Sequence, residues 1–181
     1  MWLLKTSRNA LAIIFAGSLG LLSACTVEPL NKSNANSAVS GGAVDSSTAA
    51  VLASIQVAEV NSRVAQQTRN ALLFALNGGN PVPSGNLKVN LGVVSRTQNL
   101  SVLTSVQAPT SAQVQLTATY SMVNTQTGET IASGTRRSIA AYDLTSQNFA
   151  NQRALRNAEN RAAKSVAQQI RLALAQKVAR R

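Results

Sequence analysis

The chain has 181 residues, with 17 Lys and Arg against 6 Asp and Glu and a formal net charge of +11. One Cys and no His leave no internal disulfide, and zinc, haem and His-based triad chemistries lack their usual ligands or base. Aromatic residues make up 3% of the sequence, too few for the stacking platforms of single-strand binders, so the charge does not point to nucleic acid.

The N-terminus is a signal in three parts. Lys5 and Arg8 make a basic start, Ala10 to Leu22 is apolar, and Leu22-Ser23-Ala24-Cys25 closes the run with small residues before the cysteine. That is the layout of a secretory signal, and its apolar run is shorter than the ~20 residues of a membrane-spanning helix. The closing tetrapeptide is a lipobox. It predicts that residues 1–24 are removed and that Cys25 becomes the first residue, with a diacylglyceryl group on its thiol and a further acyl chain, such as palmitate, on its freed amine. Each buried methylene is worth ~0.8 kcal/mol and stable anchoring takes about two chains, so the mature protein stays on the membrane. An ordinary secretory signal that happens to contain a cysteine is the plainer alternative.

Without Lys5 and Arg8 the mature part carries fifteen cationic and six acidic residues, +9. In a Gram-negative envelope the abundant polyanion for such a protein is lipopolysaccharide. Acylation of Cys25 removes the one thiol. No Ser-x-x-Lys, nucleophile elbow or glycine-rich phosphate loop is present, and Glu28, Asp45, Glu59, Glu129, Asp143 and Glu159 are scattered without a paired motif. No enzyme activity, cofactor or metal is expected.

From Thr26 to Thr48 the chain is rich in Ser, Asn, Ala and Gly and has no periodicity, so residues 25–48 read as the lipidated cysteine and a flexible tether. A tether of that length spans ~25 Å. Residues 49–181 then form one domain. Ser54 to Val60 reads as a strand with Ile55 and Val57 on one face. Asn61 or Ser62 caps a helix whose stripe is Val64, Thr68, Ala71, Leu72, Ala75 and Leu76, ending at Gly78-Gly79 with Pro81 and Pro83 beyond.

Leu87, Val89, Leu91 and Val93 alternate with Lys88, Asn90 and Gly92, and Val114 to Met122 alternates with Gln113 to Ser121, the period of half-buried strands. Ser95 to Ala112 is read as partly loop, with Val102, Leu103 and Val106 allowing a strand to extend into it. Asn124 to Gly128 supplies a hairpin turn before a strand from Glu129 to Tyr142. Thr145 or Ser146 caps a long helix from about Gln147 to Val178, with Ala158, Ala162, Val166, Ile170 and Leu174 as its stripe and Arg153, Arg156, Arg161, Lys164 and Arg171 on the remaining arc. The order strand, helix, three strands, helix implies an α+β, two-layer sandwich: a small four-stranded sheet with two helices on one face. The Gln, Thr and Ser face of the sheet is left for water or a partner.

These pieces resemble the LPS-assembly lipoprotein (LptE) family, in its alphaproteobacterial form, over nearly the whole mature chain. The likeness rests on Cys25 followed by Pro29-Leu30, on Gln67-Thr68-Arg69-Asn70-Ala71-Leu72 running into Leu76-Asn77-Gly78-Gly79, and on Thr117-Ala118-Thr119-Tyr120 with Thr127-Gly128. Gly134, Ala141-Tyr142-Asp143, Phe149-Ala150 and Arg161-Ala162 complete it. Where the family often has Pro-Leu-Tyr-Gly, this chain has Pro29-Leu30-Asn31-Lys32. The resemblance implies a non-enzymatic protein, lipid-anchored at the outer membrane and facing the periplasm. It would sit as a plug inside a large β-barrel (LptD), help that barrel assemble, and contact lipopolysaccharide during its insertion.

In that setting basic side chains would compete with the divalent cations that bridge lipopolysaccharide phosphates. Arg136 and Arg137, adjacent on a strand and so on opposite faces, are the first candidates, with Arg96 and Lys88 beside them; Arg suits bidentate phosphate binding. Arg69 and Asn70 are candidates for contact with the barrel. For all six, a solvated surface role is the alternative. A different outer-membrane lipoprotein, such as an activator of a peptidoglycan synthase, would show a longer, Pro-rich tether, and an envelope hydrolase would need a pocket of clustered polar groups.

Overall fold

A computed structural model describes residues 46–81, 84–103 and 108–180 of the chain. The signal segment, Cys25 and the tether as far as residue 45, together with Pro83, Val106 and Arg181, lie outside the described residues. The elements run in the order α1 (Ser46–Ala53), β1 (Gln56–Val57), α2 (Arg63–Asn77), β2 (Leu87–Leu103), β3 (Ala108–Asn124), β4 (Thr130–Asp143) and α3 (Asn148–Val178). The strands form one mixed sheet in the order β1-β2-β3-β4, covered on one face by helices: the α+β layering that the order of periodicities implies.

A third helix joins the two expected. α1 begins three residues inside the stretch read as tether, and it buries Thr48 and Leu52. These are four residues apart and so share a helical face, but only one is apolar, and the pattern of apolar residues gives no sign of the helix. The first strand is shorter than its apolar pattern. Ile55 and Val57 are both buried, yet only Gln56 and Val57 pair with Lys88 and Val89, in parallel. Ala58 donates one more backbone bond to Val89 before the chain turns into α2, whose crossover makes the parallel pairing possible.

α2 starts at Ser62, whose Oγ accepts from the Ala65 N–H at 3.2 Å, satisfying one of the orphan donors of a helix start. It ends at Gly78 in the left-handed conformation, φ 69°, where a side chain would be strained. Within the helix Thr68 is fully buried and donates its hydroxyl to the Val64 carbonyl at 2.9 Å.

β2 and β3 run on through most of the stretch read as loop and pair from Leu87↔Asn124 to Leu103↔Ala108, with irregular register around Asn99 to Val102. The β3–β4 turn is built on Asn124, whose carbonyl accepts from Gly128 N–H at 2.8 Å and whose Oδ1 accepts from Gln126 N–H at 2.9 Å. At the start of α3 the cap differs from expectation: Gln147 is the cap residue and makes no side-chain cap bond. Thr145 instead forms a reciprocal turn with Asn151, whose Oδ1 accepts from the Thr145 N–H while its Nδ2 donates to the Thr145 carbonyl, both at 2.8 Å.

The core lies between the sheet and the helices. Val89, Val114, Leu116, Met122, Leu72, Ile170 and Leu174 are its largest fully buried members, with Ile55 beneath α1. α3 lays Ala158, Ala162, Ala163 and Ala167 against it, small residues that let a long helix lie close to the strands. Arg63 and Glu159 form an ion pair that ties α2 to α3.

Candidate functional site

Among the described residues one face of the sheet is packed and one is open. Registers assign the side chains. Val89 pairs with Met122 and Met122 with Ala132, so odd positions of β2 and even positions of β3 and β4 face the helices. Lys88, Asn90, Gly92, Val94, Arg96 and Gln98 of β2 therefore share the open face with Gln113, Gln115, Thr117, Thr119 and Ser121 of β3 and with Thr135, Arg137 and Ile139 of β4. The polar face expected from the alternation is present. Gln113 donates to Gln98 across the strands at 3.1 Å, and the Thr119 and Thr135 hydroxyls lie 3.4 Å apart.

This surface brings together three of the four cationic candidates. Arg96, Gln115 and Ile139 form one row, and Val94, Thr117 and Arg137 the next. At ~4.8 Å between strands and ~3.4 Å per residue, Arg96 and Arg137 stand roughly 12 Å apart, with Lys88 about 27 Å along the strand from Arg96. Among the described residues none of the three makes an ion pair or a side-chain hydrogen bond. Val94 and Ile139, 56% and 54% exposed, place apolar contacts between the charges. The face is rich in donors, and the hollow lined by Arg136 lies on the other side of the sheet. The open face suits an extended surface rather than an enclosed small molecule.

Arg136 is the exception. It lies opposite Ala118, on the helix side of the sheet, with its guanidinium 5.9 Å from the Tyr120 ring centre and one N–H donated to the Thr135 carbonyl at 3.0 Å. Counting straight across from the Asn124 turn would pair Arg136 with Thr117 on the open face; the register shift between Val123↔Thr130 and Met122↔Ala132 moves it to the helix side. Lys177 and Arg180 line the same hollow, a meeting that no spacing along the chain announces.

Arg69 is engaged locally: its Nε donates to the Ala58 and Val57 carbonyls at 3.0 and 3.3 Å. Asn70 is exposed beside it. At the outer edge of the sheet, Gln169 and Arg161 of α3 donate to the Arg137 and Ala141 carbonyls of β4 at 3.3 and 2.6 Å. Among the described residues no three His, Cys, Asp or Glu side chains come together as a metal site. No described helix is long and apolar enough to cross a membrane.

No family model and no curated protein matches the chain. Its fold is similar to that of a solved Caulobacter crescentus protein assigned as a lipoprotein, with TM-score 0.64 at 19% identity, covering 75% of this chain and 98% of that one. It is similar also to rare lipoprotein B from Shewanella oneidensis, with TM-score 0.51 at 12% identity, covering 68% of this chain and 92% of that one. At these identities the likeness is one of fold.

Proposed function

We propose that the protein is an outer-membrane lipoprotein, anchored through Cys25, that binds lipopolysaccharide and assists the assembly and function of an LptD-like β-barrel as the glycolipid is inserted. The observation that carries the reading is the open sheet face, where Lys88, Arg96 and Arg137 stand without an ion pair among the described residues on a field of Thr, Gln and Ser. A barrel wall offers an extended polar inner surface that such a face can lie against. Phosphate groups of the glycolipid are the natural counter-charges for isolated guanidinium groups, which bind them bidentately and displace the bridging divalent cations. The lipobox and the fold shared with proteins described as lipoproteins support the envelope setting.

A photocrosslinking residue placed at Thr117, in the middle of the open face, tests the partner in intact cells. It is expected to capture a large outer-membrane β-barrel; capture of unrelated proteins alone contradicts the assignment. The ligand is tested separately. Replacing Lys88, Arg96 and Arg137 together by Gln is expected to weaken binding to purified lipopolysaccharide roughly tenfold, the sum of three modest exposed-charge contributions.

A further inference from the structure

Between the outer edge of β4 and the last turns of α3 lies a hollow of about 430 Å³. Tyr120, Arg136, Gln176, Lys177 and Arg180 line it, and among the described residues no carboxylate does. Tyr120 is only 4% exposed and sits directly across from Gly134. The bare backbone at Gly134 is what lets the ring reach the edge: a Cβ there would stand 3.0 Å from the Tyr120 Oη and 3.2 Å from Cζ. Among the described residues the hydroxyl has no hydrogen-bond partner, and it opens toward the hollow. Arg136, stacked over the ring at 5.9 Å and held by the Thr135 carbonyl, has its remaining N–H groups to offer on the same side.

We propose that this hollow binds a phosphate group, as a phosphomonoester or phosphodiester. Among the described residues a nearly buried phenol without an acceptor, a planar guanidinium, an amide and two further cations form a set of donors with no acidic group beside it, and a tetrahedral oxyanion has enough acceptor oxygens to use them. Lys177 and Arg180 also complement the negative pole of α3, but that role accounts for neither Arg136 nor the Tyr120 hydroxyl. The site does not rest on the glycolipid reading of the open face, because Arg136 points to the opposite side of the sheet from Lys88, Arg96 and Arg137.

The test is a titration of the purified protein with sodium phosphate, followed by amide and guanidinium NMR shifts, against sodium chloride at matched ionic strength and pH. Saturable shifts confined to Gly134, Arg136 and Gln176 to Arg180 are expected with phosphate alone. Arg136→Gln should weaken binding about tenfold or more and Tyr120→Phe several-fold, the loss expected for hydrogen bonds to a charged group, whereas Lys164→Gln, of equal charge change but lining a different hollow near the middle of α3, should leave it unaltered. Arg136 is partly solvent-facing, so its variant keeps the test valid even if Tyr120→Phe disturbs packing. Identical shifts in chloride, or phosphate binding that Arg136→Gln does not alter, would overturn the proposal. Vesicles then separate the sources. Cosedimentation with phosphatidylglycerol but not phosphatidylcholine vesicles, lost in Arg136→Gln, assigns the phosphate to a lipid headgroup. Saturable phosphate binding with vesicle sedimentation unchanged by Arg136→Gln assigns it to a soluble phosphate ester.

Discussion

Arg69 shows how a residue outside the apolar stripe of a helix can still hold the fold. The helical pattern leaves it free for a partner, but its Nε reaches back to the two carbonyls where the chain leaves β1, and those carbonyls would otherwise lack that donor. Arg69→Gln is therefore expected to lower unfolding stability by about 1–2 kcal/mol, while Asn70→Ala, exposed on the neighbouring arc, changes it by less than ~0.5 kcal/mol; urea denaturation of both variants checks this. Core positions should be costlier. Leu72 is fully buried between sheet and helices, and Leu72→Ala is expected to remove about 2–5 kcal/mol in the same measurement. The split between Arg136 and Arg137 was legible only in part. Adjacent strand residues must point apart, but which guanidinium joins the open face is decided by the register shift between Val123↔Thr130 and Met122↔Ala132, an extra residue in β4 that turn and alternation alone do not announce. The hollow at Tyr120 was not legible, because Lys177 and Arg180 reach it from a helix more than 30 residues further along the chain.

Elements with a clean period were readable and those without one were not. α2 and α3 follow their stripes of three- and four-residue spacing, and both keep the ends expected of them to within a residue or two. α1 has no such stripe, since its buried pair is Thr48 and Leu52. β2 and β3 extend beyond their alternating segments because each supplies the other with backbone partners, a gain that local sequence does not display. The β4 edge of the sheet is covered by side chains of α3. β4 has its outward carbonyls at Arg137 and Ala141 taken by Gln169 and Arg161, which blunts an edge that could otherwise pair with another chain. Replacing both donors by Ala is expected to produce concentration-dependent self-association in sedimentation velocity, with the far-UV circular dichroism spectrum retained. A double variant that stays monomeric across the same range would show that these contacts do not guard the edge.

Val44–Arg181 forms a compact unit, in which three helices share one side of the sheet and, among the described residues, nothing covers the other. Such a unit carries its own core, so a fragment beginning at Val44 is expected to unfold cooperatively, with a melting temperature within a few degrees of that of the full chain, by calorimetry. Bareness on one side is tolerable because the exposed rows are Thr, Gln and Ser with isolated cations, and the same chemistry suits the docking proposed for this face. The role proposed for the bare face is in export of lipopolysaccharide through a barrel. It is tested most directly by depleting the protein and measuring newly made lipopolysaccharide at the cell surface. Surface delivery is expected to fall and to be restored by the wild-type chain but poorly by the Lys88, Arg96 and Arg137 triple variant. Surface delivery that continues at its normal rate after depletion would contradict that role.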